Sequence, residues 1–149
     1  MKIGIDTNIF IAAIHKNHPN NIVACSWLNS AIINHNVVIA QHSVLETYAV
    51  LTRLPPKWRL TPSEVVLLLK TNLKSQINIV HFPAKNFLGW IDKSASKNIV
   101  GGQIYDSYII KTLSAAKVDA IATFNISHFA KLIDTVKLIN PLNHKSKIS

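Results

Sequence analysis

The sequence predicts an α/β fold, a three-layer α/β/α sandwich around a central, mainly parallel sheet. Short apolar segments of strand length alternate along the chain with longer segments of helical periodicity, as in strand–helix–strand units. The 149 residues, 48% hydrophobic and 15% charged, suffice for one well-cored domain. We therefore expect a single domain over residues 1–142 and a basic polar tail over residues 143–149.

In the first half of the chain, boundary residues define the predicted elements. Asn20 and Asn21 precede a helical pattern that buries Trp27 on its apolar face. Pro55 and Pro56 end a later helix, and Pro62 occupies the first turn of the next. The predicted elements are strands over 2–6, 37–40 and 79–82, and helices over 22–33, 43–53 and 61–73.

In the second half, Gly101 and Gly102 mark a turn before a clear amphipathic helix. That helix has Tyr108 and Leu113 on its apolar face and Asp106 in its first turn. The predicted elements are helices over 86–95, 103–116 and 127–133, and strands over 120–124 and 136–139.

The composition indicates the kind of partner and the compartment. Sixteen Lys and Arg against seven Asp and Glu give a formal charge of +9, which favours an anionic partner, either nucleic acid or an acidic protein. Cys25 is the single cysteine, so an intrachain disulfide is excluded, and we expect it to be a small buried hydrophobe. No apolar run approaches the roughly 18 residues of a membrane span. We therefore expect a cytoplasmic protein that does not enter a membrane.

Three of the scarce acids stand where a carboxylate is costly. Asp6 ends the first strand, while Glu46 and Asp106 each interrupt an apolar helical pattern. Carboxylates that converge at one edge of a sheet need a counter-charge, and Mg²⁺ and Mn²⁺ take oxygen ligands. A metal site requires the three acids to come within coordinating reach of one ion. Glu46 has a structural alternative, because Ser43 and Glu46 also have the spacing of a helix capping box.

The chain resembles PIN-domain ribonucleases in four segments that follow one another in the same order. They extend over nearly the whole chain, and the most similar group is the VapC-type toxins of prokaryotic toxin–antitoxin pairs. The segments are Asp6-Thr7-Asn8, Ser43-Val44-Leu45-Glu46, Gly101-Gly102-Gln103-Ile104-Tyr105-Asp106-Ser107 and Ala122-Thr123-Phe124-Asn125-Ile126-Ser127-His128-Phe129.

This resemblance implies a metal-dependent endoribonuclease in which Asp6, Glu46 and Asp106 bind Mg²⁺ or Mn²⁺. The family's fourth catalytic position corresponds to Asn125, a departure from the fully acidic pattern, because an amide offers a metal one neutral oxygen. One-metal and two-metal versions of the site are both open.

The same resemblance implies protein partners. Toxins of this group bind a cognate antitoxin that covers the acidic pocket, and they form homodimers. Apolar helices are the candidates for such interfaces, and the residues concerned are Trp27, Val66, Leu68 and Leu69.

Several polar residues beside the acids are expected to support the site or contact substrate. Thr7 is placed to hydrogen-bond a neighbouring carboxylate or a water. Thr123, Ser127 and His128 flank Asn125, and their structural alternatives are strand packing, a helix N-cap and a surface histidine. Asn8 is expected to cap the helix that follows it. The other histidines, His15, His18, His35, His42, His81 and His144, are expected at the surface or in loops.

A second hypothesis is a non-catalytic basic module that binds RNA or an antitoxin and has a degenerate acidic site. Its acids would be capping residues scattered over the surface. Other phosphate-handling classes do not fit the sequence. A Walker loop is absent, and Asn8 stands where the haloacid-dehalogenase pattern needs a second Asp.

Overall fold

The structure, a computed structural model, describes residues 1–73, 76–133 and 135–143. In these residues there are five strands: β1 Lys2–Ile5, β2 Asn36–Ala40, β3 Ile77–Val80, β4 Ala120–Ala122 and β5 Lys137–Ile139. The helices are α1 Thr7–Ile14, α2 Asn21–Asn34, α3 Gln41–Arg53, α4 Pro62–Leu73, α5 Phe87–Ser96, α6 Gln103–Ala115 and α7 Ile126–Ala130. Single 3₁₀ turns cover Ala84–Asn86 and Pro141–Asn143. None of the described helices is long and apolar enough to cross a membrane.

The strands form one sheet in the order β3-β2-β1-β4-β5, and every neighbouring pair is parallel. At the centre, Ile5 of β1 aligns with Ile39 of β2 and with Ala122 of β4. From β1, the next two strands in the chain, β2 and β3, extend the sheet to one edge. The last two strands, β4 and β5, then extend it from the other side of β1 to the opposite edge. The gap between β1 and β4 is therefore the topological switch point, where open α/β sheets form a crevice beyond the strand ends.

Alternate side chains of the sheet enter two separate cores. On one face, Ile5 and Ile39 pack with Phe10 of α1 and Leu28 of α2. The core on the other face joins the sheet to α6 and α7, and its members include Val38, Ile121, Leu113 and Phe129. Helices thus cover both faces of the sheet, as a buried parallel sheet requires. The predicted α/β/α sandwich is confirmed.

Several predicted boundaries are displaced. β3 begins at Ile77 rather than at residue 79, and β4 ends at Ala122, so Thr123 and Phe124 lie beyond the sheet. The predicted helix over 127–133 is instead α7, Ile126–Ala130. Of the predicted tail, Asn143 lies in a 3₁₀ turn, and residues 144–149 lie outside the described part of the chain.

The capping box predicted for Ser43 and Glu46 is wrong. Helix α3 follows β2 directly from Gln41, so Ser43 lies inside its first turn, buried, with no hydrogen-bond partner for its hydroxyl among the described residues. The reciprocal capping bonds occur at α4 instead. The Thr61 N–H donates to the Glu64 carboxylate at 2.7 Å, and the Glu64 N–H donates to the Thr61 hydroxyl at 3.2 Å. Glu46 therefore has no capping role.

Two predictions of burial are also wrong. His15, expected at the surface, is buried, and its Nε2 lies 2.9 Å from the carbonyl oxygen of Trp58. A hydrogen bond to a carbonyl lets a histidine enter a core, and the sequence gives no sign of that partner. Cys25 is only partly buried rather than fully enclosed. Trp27 does pack against the core, as predicted.

Gly4 sets how closely α6 approaches the sheet. It lies at the centre of β1, opposite Leu113 of α6. A Cβ at this position would lie 2.8 Å from Leu113 Cδ1 and 2.9 Å from Cδ2, well inside normal contact distance. The missing side chain therefore allows α6, the helix that carries Asp106, to pack directly on β1.

We expect Gly4→Ala to lower the free energy of unfolding by about 1–3 kcal/mol, because Leu113 must change rotamer or α6 must move away. Urea denaturation measures this change. Gly89→Ala in α5 is the matched control, since nothing lies within 4 Å of its Cβ position. Alanine favours a helix over glycine by roughly 0.5–1 kcal/mol, so the control should be stabilised. Equal effects of the two substitutions would contradict the close approach of α6.

Candidate active site

The candidate site is built where the two central strands end. Asp6 follows β1 and Thr123 follows β4, one on each side of the switch point. The Thr123 hydroxyl donates to Oδ2 of Asp6 at 2.7 Å, and the Asp6 N–H donates to the carbonyl oxygen of Ala122 at 2.9 Å. The sheet register therefore fixes the position of this carboxylate.

Asn8 ties the first helix to the loop that follows β4. Its Nδ2 donates to Thr123 Oγ1 at 3.3 Å, and its Oδ1 accepts the Phe124 N–H at 3.3 Å. The Asn125 N–H also donates to Thr123 Oγ1, at 3.0 Å. Because two donors reach this hydroxyl oxygen, its single proton is directed to Asp6. The prediction that Asn8 caps a helix is wrong, since α1 begins one residue earlier.

Asp6 is a buried carboxylate, with only 5% of its surface exposed. Burial raises its pKa from 3.8 to about 7, because desolvation penalises the charged form. The carboxylates of Asp106 and Glu46 raise the pKa further, while hydrogen bonds from Thr123 and Thr7 lower it. Among the residues that the structure describes, no Lys or Arg forms an ion pair with these three acids. The site therefore favours a cation.

Glu46 is held by the start of α1. It lies partly buried on α3, and its Oε2 accepts the Thr7 hydroxyl at 2.9 Å. Thr7 itself is buried, directly after Asp6 in the chain. The hydrogen bond predicted between Thr7 and a neighbouring carboxylate is therefore present, and it fixes one oxygen of Glu46 beside the end of β1.

Asp106 is paired with His128. Asp106 lies in the first turn of α6, and its Oδ2 is 2.9 Å from Nδ1 of His128 on α7. The two side chains are about equally exposed, at 31% and 30%. This contact joins α6 to α7 at the edge of the crevice and leaves both groups accessible to a ligand.

The residues at the start of α7 are joined to the site less directly. Asn125 is exposed, and its backbone, through the bond to Thr123, connects it to Asp6. Ser127 is exposed inside α7 rather than at its N-cap, so its structural alternative is wrong. No hydrogen bond joins the Ser127 hydroxyl to the other site residues within the described ranges.

The oxygen donors at this site suit a hard divalent cation. Asp6, Glu46 and Asp106 supply carboxylates, and Asn125 follows β4 with an amide oxygen. The expected convergence of the three acids within coordinating reach of one ion is not found, because no three His, Cys, Asp or Glu side chains in the described ranges can hold an ion by themselves. Asp106 and Glu46 are nevertheless near enough to raise the pKa of Asp6. Mg²⁺ usually takes one or two protein carboxylates and completes its shell with water and phosphate oxygens. The residues present fit that mode of binding.

An aromatic cavity of about 370 Å³ is lined by residues of α3, α5 and α6, and sequence analysis did not predict it. The rings of His42 on α3 and Tyr105 on α6 stack within it, 5.2 Å apart at their centroids and 7° from parallel. Deeper in the cavity, Trp90 and Tyr108 lie 5.0 Å apart. Tyr105 is exposed and precedes Asp106 directly, so a nucleobase could stack here. The available signal was the pair of tyrosines one helical turn apart beside an acid.

The fold and the site together define an α/β protein with a cluster of carboxylates at the switch point of a parallel sheet. The PIN domain family model matches residues 3–133, and the chain belongs to the PIN-domain family. The resemblance seen in the sequence is confirmed.

The chain is similar to named members of this family. Ribonuclease VapC40 of Mycobacterium tuberculosis is 32% identical over 114 residues, which are 76% of this chain and 80% of that protein. VapC20 of the same organism, described as a Sarcin-Ricin loop cleaving toxin, superposes with a TM-score of 0.69 at 15% identity, covering 90% of this chain and 98% of that one. VapBC2 of Rickettsia felis, bound to a promoter DNA fragment, gives 0.66 at 22% identity, covering 94% and 98%. The two superpositions bear on the fold alone.

The raised pKa of Asp6 predicts how stability changes with pH in metal-free protein. An unfolded Asp titrates at 3.8 and the folded Asp6 at about 7, so between these values the folded state binds the extra proton. The contribution of protonated Asp6 to the stability of the folded state is complete below pH 3.8, and it is lost as the pH rises through about 7. In EDTA at about pH 8, the free energy of unfolding of Asp6→Asn should be higher than that of wild type by a few kcal/mol. The gain is about 1.4 kcal/mol for each unit by which the pKa is raised.

Urea denaturation at about pH 4 and about pH 8 measures the difference, which should nearly vanish at the lower value. Asp92→Asn is the matched control, because Asp92 is exposed on α5. A pH-independent gain at Asp6, or an equal gain in the control, would contradict the assigned burial cost.

Proposed function

We propose that this protein is a metal-dependent endoribonuclease, the VapC-type toxin of a type II toxin–antitoxin pair. The observation that carries the proposal is the buried Asp6 carboxylate at the switch point, with Glu46 and Asp106 acting on it and no basic partner in the described part of the chain. Membership of the PIN-domain family and similarity to a protein named Ribonuclease VapC40 support RNA as the substrate.

Asp6, Asp106 and Glu46 would hold the cation, Mg²⁺ or Mn²⁺, with Asn125 at the fourth position. When bound, such an ion activates water for attack on phosphorus and neutralises charge on the phosphate and the leaving oxygen. Thr123 donates to Oδ2 of Asp6 and so orients this carboxylate without neutralising its charge.

The remaining polar residues position these groups or meet the RNA. Thr7 holds Glu46 through its Oε2 and so fixes this side chain beside the end of β1. His128 contacts Asp106 and is exposed enough to donate a hydrogen bond to a substrate phosphate. We assign Ser127, exposed on the same helix, to substrate contact as well.

The partners follow from the same proposal. A cognate antitoxin would cover the acids, and the similarity of the fold to the toxin component of a VapBC2 assembly supports this. Exposed apolar side chains on α4, such as Val66 and Leu67, supply a surface for a homodimer. A protein of this kind acts on RNA in the cytoplasm.

A non-catalytic RNA- or antitoxin-binding module is the second candidate. Asn125 favours it, because a neutral amide replaces the fourth acid of the family pattern. The charge of +9 is equally compatible with binding alone. Cleavage that depends on both a metal and an acid separates the two candidates.

The test is cleavage of a mixed RNA pool by wild type and by Asp106→Asn, each with Mg²⁺, with Mn²⁺ and with EDTA. We expect the wild type to cleave with either metal and not with EDTA. We expect Asp106→Asn to lose on the order of 10²-fold or more in rate, because a metal-binding carboxylate is removed. Asp92→Asn, an exposed acid on α5, is the control and should retain activity. RNA binding without cleavage under every condition would favour the binding module.

A further inference from the structure

A lysine-lined cleft lies along α6 next to the aromatic cavity, and Trp90 lines both. Its volume is about 350 Å³, and four lysines line it. Lys93 and Lys97 come from α5 and the residue that follows it, Lys111 comes from α6, and Lys131 follows α7. We name this group of four residues the lysine cleft.

The positive charge of the lysine cleft is uncompensated within the described residues. All four lysines are exposed, the described lining includes no carboxylate, and none of the four forms an ion pair with a described acid. Asp134, next in sequence to two lining residues, lies outside the described residues. Four ammonium groups around one depression repel one another, so an anion bound among them relieves that repulsion.

The lysine cleft begins where the acidic site ends. Ser107, the residue after Asp106, lines the cleft, and Lys111 lies on the same face of α6 one turn further along. On the other wall, Lys131 comes three residues after His128, the partner of Asp106. Along α6, Lys111 follows Asp106 by five residues, a rise of about 7.5 Å along the helix axis.

The lining suits a sugar–phosphate chain better than an isolated anion. Hydroxyls of Ser107 and Ser114 stand among the lysines as neutral donors. Trp90 also lines the cleft, but it is buried and packed against Tyr108, so its ring is not counted as a stacking surface. A groove of basic groups that follows the phosphate backbone is a common element of single-strand binding. An acidic protein segment would match the lysines but would gain nothing from the adjoining carboxylates.

We propose that the lysine cleft binds the phosphates of single-stranded RNA next to the bond that is cut. The inference rests on the proposed function, since it places the scissile phosphate at the acids and the neighbouring phosphates at Lys111 and Lys131. The cleft holds the strand through charge, and it positions the RNA without taking part in the chemistry.

The test measures binding of a labelled, mixed-sequence single-stranded RNA in EDTA. Fluorescence anisotropy monitors the binding at several KCl concentrations. The variant is Lys111→Gln with Lys131→Gln. The control is Lys16→Gln with Lys70→Gln, which removes the same charge at two exposed lysines outside the cleft lining, after α1 and in the last turn of α4. The slope of log Kd against log salt should fall by about 0.7 for each phosphate that the protein no longer neutralises, and only in the cleft variant.

Cleavage kinetics with Mg²⁺ distinguish failure of this inference from failure of the proposed function. The cleft variant should show KM raised several-fold, with kcat much less affected, and melting temperatures should confirm that both variants are folded. If wild type cleaves RNA but the cleft and control variants bind RNA equally well, the proposed role of the lysine cleft is overturned. The proposed nuclease function is then unaffected. Wild type that binds RNA with the expected salt dependence but cleaves none would overturn the nuclease. Oligoglutamate of equal charge that competes as well as RNA would assign the cleft to an acidic protein segment instead.

Discussion

The structure around the site depends on one constraint, the free-energy cost of burying the Asp6 carboxylate away from water. Asp6 is buried beside two further acids, and an unpaired charge in that setting is expensive. Hydrogen bonds from Thr123 and Thr7 offset part of this cost, whereas the acids on α3 and α6 add to it. The loop after β4 supplies a hydroxyl, α1 supplies the amide of Asn8 that orients this hydroxyl, and α3 and α6 place further oxygens around it. No Lys or Arg among the described residues pairs with these acids, and that is why a bound cation is part of the proposed function.

Sequence patterns predicted the sheet and the acids because both depend on local signals. Apolar segments of strand length revealed the order of elements, and Asp6 stood out because an acid at the end of an apolar strand is unusual. Ser43 and Thr61 show where prediction from local sequence patterns fails. Both precede a glutamate by three residues, yet only Thr61 caps a helix, because α3 starts directly from β2 and encloses Ser43. Which of two identical spacings forms a cap depends on the chain path, which the sequence pattern does not contain.

The parts of the site that escaped prediction are those made by contacts between distant segments. Asn8 was expected to serve its own helix, but its amide binds two groups more than a hundred residues away in the chain. The stacked rings of His42 and Tyr105 likewise come from α3 and α6, which α4, β3 and α5 separate along the chain. Residue type suggests what such side chains can do, whereas only the packed sheet decides which partner they meet.

The bond between Thr123 and Asp6 spans 117 residues, and this separation concerns the order in which the protein is made. Contacts between distant segments close late, after the intervening chain has been synthesised and folded. A ribosome that has released α1 to α5 still retains β4, so the nascent chain has no second wall for its crevice. The acidic pocket is therefore complete only after β4 and Thr123 have left the ribosome and reached β1.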